Sequence, residues 1–185
     1  MEHFGMPDKA FLHEDGFPQA LRALLAGAER VFVLGIGMEW KSDDRLGSAL
    51  AHALARALPA DPRVHVVDGG EAPENFTGTV RAFTPGHVLL LDAVDHGLKP
   101  GTAFLADESS IAIGDMTSHH LPLKLLMRFL ARSLPCRVIL VGVQPKTLLP
   151  GKRLSRPVQR TVKPLAKFLA TAITGALAES EQIQQ

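Results

Sequence analysis

Cysteine is nearly absent: the 185 residues hold one, Cys136. A single thiol excludes an internal disulfide and any multi-cysteine metal cluster. It lies in Leu134-Pro-Cys-Arg-Val-Ile-Leu140, at the head of an apolar run, and reads as a small core thiol opening a strand rather than as a nucleophile. An excess of one charge is missing too. Twenty Lys and Arg stand against nineteen Asp and Glu, a formal charge of +1, which gives no reason to expect nucleic acid or an anionic membrane as partner. No apolar run approaches the roughly 20 residues that span a bilayer. The start, Met1-Glu-His-Phe-Gly5, is neither basic nor followed by a long apolar segment. A soluble cytoplasmic protein without membrane insertion is the expectation. There is no internal repeat, no low-complexity linker, no Gly-x-Ser-x-Gly elbow of a serine hydrolase and no dedicated zinc spacing.

What is present is 46% hydrophobic residues, enough for one globular domain with a sizeable core. The chain is organised around Val31 to Gly47. Val31 to Ile36 is an apolar, β-branched run that reads as a buried strand, and Gly35 and Gly37 allow a sharp exit from it. Leu46, Ala49, Leu50, Ala53 and Leu54 then recur at helix spacing. The adjacent Asp43 and Asp44 therefore fall at the positive end of a helix dipole, just beyond the carboxyl end of a strand. Asp43 reads as a capping residue. For Asp44, capping and function stand level on local grounds.

The remaining pattern predicts alternating strands and helices. A short helix over residues 17–28 reads as an appendage, and a helix from Asp43 to about Leu58 follows strand one. Arg63 to Val67 is strand two, closed by Asp68-Gly-Gly70. Residues 72–83 form a weak helix interrupted by Gly78, and His87 to Asp92 is strand three, apolar throughout as expected of a strand covered on both faces. Only residues 93–101 separate it from the next extended run, 102–106. That is too short for a parallel crossover, so strand four should run antiparallel. A helix over 120–133, strand five over 137–143 and a last helix from Ser155 to about Ala178 complete the set. The expected fold class is α/β: a three-layer, doubly wound, mostly parallel five-stranded sheet with helices on both faces and one antiparallel strand. The expected division is an N-terminal extension (1–29), a single α/β domain (30–178) and a frayed tail (179–185).

In such sheets ligands sit beyond the carboxyl ends of the strands where the winding direction reverses. If strands one and three are neighbours, Asp44 and Asp92 face one crevice. Asp92 closes an apolar strand, where a charge is costly unless it meets loop amides, solvent or a metal. Asp95 and His96 read as water-facing. His119 and His120 head a helix beside the sheet edge. Two carboxylates and one imidazole would suit a borderline divalent ion such as nickel or zinc. A dinucleotide turn at Gly35-Ile-Gly37, with Asp68 as ribose acid, is disfavoured. Its third glycine position is Trp40, and Asp43 and Asp44 would repel a pyrophosphate.

Gly35-Ile-Gly37, Ser42-Asp-Asp44 with Gly47, Asp68-Gly-Gly-Glu-Ala-Pro-Glu-Asn75, Leu91-Asp-Ala-Val-Asp-His-Gly-Leu-Lys-Pro-Gly101, Thr117-Ser-His-His-Leu-Pro-Leu123 and Gly142-Val-Gln-Pro145 occur in this order. Together they resemble the nickel-iron hydrogenase maturation endopeptidases, in particular the branch acting on hydrogenase 3 of the formate-hydrogenlyase type. The resemblance spans about Val31 to Ala170. It implies an endopeptidase that removes a short C-terminal extension from the hydrogenase large-subunit precursor after nickel insertion. The nickel is carried by the substrate, and zinc or cadmium can stand in for it in the isolated protein. Matched motif by motif, the metal-contacting residues fall on Asp44, Asp92 and His119, with His120 one place away. Two positions depart from the family pattern. Met38 stands where asparagine is usual, and Arg45, in place of glycine, is set in sequence to pair with Asp44. The competing readings are a non-catalytic hydrogenase-binding module and a metal-dependent hydrolase of small amides.

Overall fold

The computed structural model describes residues 16–107 and 123–183. In chain order they form α1 (Phe17–Leu25), β1 (Val31–Ile36), α2 (Leu46–Ala57), β2 (Val64–Gly70), α3 (Thr77–Phe83), β3 (His87–Ala93), β4 (Ala103–Asp107), α4 (Leu123–Ser133), β5 (Arg137–Val143) and α5 (Arg156–Ile183). Single 3-10 turns at Ser42–Arg45 and Pro73–Phe76 lead into α2 and α3. The strands line up as β2-β1-β3-β5-β4, with β4 alone antiparallel, as the short link before it requires. Because β2 lies outside β1 and β3 lies on its other side, the winding reverses between β1 and β3.

Side chains alternate across the sheet. Val31, Val33, Leu89, Leu91, Ile139 and Val141 point into a core shared with α1, α2 and α5. Phe32, Leu34, Val88, Leu90, Val138 and Leu140 point into a second one under α3 and α4. With both faces covered, β1 and β3 are buried at every position. Each such Val, Leu or Phe contributes about 1.5–3 kcal/mol relative to exposure.

The structure departs from expectation at several elements. The helix anticipated from Asp43 begins as the 3-10 turn, and α2 proper starts at Leu46. β2 runs on through Asp68-Gly69-Gly70, because Gly69 lets it stay against β1: a Cβ there would come within 2.8 Å of Leu34 Cδ1. α1 is no appendage. Leu21 and Leu25 are fully buried in the first core, and the Phe17 ring lies 5.8 Å from that of Phe168 on α5. The tail from Glu179 continues α5 to Ile183, held by a Ser180 Oγ–H donating to the Ala28 carbonyl at 2.9 Å and by Glu181 paired with Arg63 at 2.6 Å. None of the described helices is long and apolar enough to cross a membrane.

Candidate active site

β1 and β3 pair from Val31–His87 to Gly35–Leu91, so their carboxyl ends emerge side by side. The start of α2 is pressed down onto both ends. A Cβ on Gly35 would stand 2.5 Å from the Gly47 carbonyl oxygen, and a Cβ on Gly47 would run into the carbonyl oxygens of Ile36 and Leu91. This backbone contact carries the turn with Asp43 and Asp44 over the point where the winding reverses.

Asp44 is 3% exposed, and its Oδ2 accepts the Met38 amide at 3.0 Å. Asp92 is 1% exposed, and its Oδ1 accepts the Ala93 amide at 2.7 Å. Asp92 lies on the sheet face of Val88 and Leu90, and its neighbour in β5 is Gly142, whose missing side chain leaves room for the Phe104 ring. His96 is half-buried rather than water-facing: its ring stacks on Phe104 with centroids 5.3 Å apart. The structure thus brings Asp44 and Asp92 to the same end of adjacent strands. His119 and His120 lie outside the described residues.

Arg45 does not turn toward Asp44. Its guanidinium donates to the Lys152 carbonyl at 2.5 Å. Asp68, the candidate ribose acid, is occupied within the fold, accepting the Ser48 hydroxyl at 2.6 Å and the Gly70 amide at 3.1 Å, with His52 at 3.4 Å.

Two residues given no chemical part by the sequence frame the crevice. Asp43, fully buried, is not a helix cap. Its Oδ2 accepts the amides of Lys146 and Thr147 at 2.8 and 3.2 Å and the Ser155 hydroxyl at 2.8 Å, while its Oδ1 accepts the Ser155 amide at 2.6 Å. One carboxylate therefore gathers both ends of the β5–α5 loop. Gln144, 5% exposed, does the same for the β3–β4 loop. Its Oε1 accepts the His96 and Leu98 amides at 2.8 and 3.0 Å, and its amide donates to Asp95 at 2.9 Å and to the Pro145 carbonyl at 3.1 Å. The loop amides expected to satisfy Asp92 are thus taken by Gln144 and, for Gly97, by Asp95. The Gln144 amide and the Gly97 N–H hold the Asp95 carboxyl below the usual carboxylate range. A buried Gln directly after an apolar strand and before Pro145 was the one local signal of this role.

Two carboxylates withdrawn from water near the carboxyl ends of β1 and β3 offer oxygen donors that favour a divalent cation. Among the described residues no group of three His, Cys, Asp or Glu is arranged to hold a metal, so these two need a further donor from elsewhere. A doubly wound α/β protein with buried acids at its switch point belongs to the broad class that takes its ligand at that crevice.

The comparisons narrow that class. The family model described as "HycI: Hydrogenase maturation protease" matches residues 48–172, a span that begins just after Asp44 and contains Asp92 and His119. The hydrogenase 3 maturation protease of Escherichia coli K12 is 35% identical over 132 residues, covering 71% of this chain and 83% of the relative. The crystal structure of the [NiFe] hydrogenase maturation protease HycI from Thermococcus kodakarensis KOD1 superposes with a TM-score of 0.77 at 26% identity, covering 84% of this chain and 99% of the other. The solution structure of the endopeptidase HycI from Escherichia coli gives 0.67 at 31% identity, covering 77% and 90%. The chain belongs to the hydrogenase maturation protease family.

Proposed function

We propose that this chain is the endopeptidase that removes the C-terminal extension from a nickel-iron hydrogenase large-subunit precursor once nickel is in place. In this reading Asp44, Asp92 and His119, with His120 as the alternative imidazole, engage the nickel that the substrate carries. The observation that carries it is the placement of two buried carboxylates at the switch point of a chain in this family. Substrate-borne nickel offsets the cost of keeping both carboxylates ionised and out of water. It also positions the scissile amide and polarises its carbonyl, so that water adds its hydroxyl to the carbonyl carbon while a proton goes to the departing amine. The same contact is a checkpoint, because a nickel-free precursor offers the three side chains nothing to hold. Zinc or cadmium would occupy the same donors in the isolated protein.

The test is incubation of the protein with nickel-loaded and nickel-free precursor, followed by mass spectrometry of the large subunit. Loss of the extension from the loaded form alone is expected. Equal cleavage of both forms would reject the checkpoint, and no cleavage of either would leave a binding module.

A further inference from the structure

The near-zero net charge conceals a strong separation. Between Met116 and Ala178 there are eleven Lys and Arg and no Asp or Glu. The rest of the chain holds the other nine basic residues (20 − 11) and all nineteen acidic ones. Part of this basic third of the chain is folded onto the turn that carries Asp43 and Asp44. Asp43 pins the backbone at Lys146 and Ser155, the Gly151 amide donates to the Trp40 carbonyl at 2.8 Å, and Arg45 reaches the Lys152 carbonyl. Lys146, Lys152, Arg153 and Arg156 are exposed, with Lys41 and Arg45 half-exposed beside them. Among the described residues none of these six forms an ion pair. The same two segments carry two exposed apolar side chains, Leu149 at 72% and Trp40 at 51%. The Trp40 ring is held in place by its Nε1–H donating to Glu71 at 3.1 Å and by the Lys41 ammonium 5.3 Å from its centre.

We propose that this patch is the docking surface for an acidic face of the hydrogenase large-subunit precursor, which seats on Trp40 and Leu149 while its carboxylates meet the surrounding cations. The proposal rests on the processing reaction above, whose crevice it borders. A half-exposed tryptophan with arginines around it is the composition of a protein-binding hot spot. Glu39, next to Trp40 in the chain, and Glu71, bonded to its ring, disfavour a polyphosphate strand and are tolerated by a protein of mixed charge. Rim cations raise the rate of encounter and fix orientation more than they stabilise the bound state, and their effect is screened within about 8 Å at physiological salt.

The test compares wild type with the double variant Lys152→Glu, Arg153→Glu in steady-state cleavage of nickel-loaded precursor and in equilibrium binding of the precursor, both across a series of NaCl concentrations. The variant should raise KM and weaken binding on the order of tenfold, with kcat within about twofold and a flatter salt dependence. The charge-preserving variant Lys152→Arg, Arg153→Lys should match wild type. An unchanged KM, binding constant and salt slope in the charge-reversed variant, with an unchanged melting temperature, would overturn the proposal. Binding of a 20-nucleotide single-stranded DNA as tight as that of the precursor would also overturn it. Because binding is read separately from cleavage, a wild type that binds in the expected salt-dependent way without cutting refutes the processing reaction and leaves the docking surface standing.

Discussion

Asp43 and Asp44 are neighbours in the chain with separate tasks. Asp43 gives its oxygens to N–H and O–H donors more than a hundred residues away, while Asp44 accepts the amide of Met38 in its own turn. Away from the site, His87 is buried at the start of β3 with no partner for Nδ1 among the described residues, and burial followed by the nearby Arg137 charge holds its imidazole below the usual range. Its folded pKa therefore lies under the unfolded value of about 6.5, and below that pH the unfolded chain binds the extra proton. Stability falls as pH drops from about 6.5 through the folded pKa, by at most about 1.4 kcal/mol per pH unit from this residue. Urea denaturation at pH 7.5 and 5.5 checks it. His87→Leu should lose less stability on acidification than wild type, and equal losses would show that this ring is not the group responsible. At this scale Asp92 was legible because it ends an apolar run, and Asp44 because it lies in the turn between an apolar strand and the apolar face of the next helix. The part played by Asp43 was not, since its partners are 103–112 residues distant, and that of Gln144 was signalled only by its place between an apolar strand and Pro145, its loop partners lying 46–49 residues away. Cys136 sits one residue before β5 rather than opening it, and is half-buried against the second core rather than within it, where desolvation pushes its thiol above the ordinary range.

Between elements, the contact that matters most joins the β5–α5 loop to the turn before α2. Asp43→Asn removes the charge and replaces one accepting oxygen with an NH2 that faces other donors. Loss of one or two charge-assisted hydrogen bonds costs about 2–4 kcal/mol, which for a domain of this size lowers Tm by roughly 4–16 °C. Calorimetry checks this, and a Tm within 2 °C of wild type would mean that the loop is held by other contacts. The elements themselves were mostly readable. β1, β3 and β5 are continuous apolar runs because sheet and helices cover both faces, and the antiparallel β4 followed from a link too short for a crossover. The ends of elements were less so. α5 outlasts its apolar face because Ser180 and Glu181 find partners in Ala28 and Arg63, and α1 joins the core through α5, contacts that no window of sequence contains.

For the molecule as a whole, the strand order β2-β1-β3-β5-β4 decides where chemistry can occur, because it sets the ends of β1 and β3 beside one another. The alternation of strands and helices made a doubly wound, mostly parallel sheet readable, with the adjacency of strands one and three entering only as a condition, and the motif order tied the chain to a family. The uneven charge is masked by a net value of +1, and the fold gives it a place by bringing part of the basic stretch beside Trp40 and Arg45. The account's central claim is that the two buried carboxylates at this junction act on the nickel-bearing precursor. The most direct measurement is the size of the large subunit after incubation of nickel-loaded precursor with wild type, Asp44→Asn and Asp92→Asn, each checked for native circular dichroism. Wild type should shorten the subunit, and each folded variant should slow the cut by at least about a hundredfold, as expected when a group acting on the reacting centre is lost. Cleavage at the wild-type rate by both variants would contradict the claim.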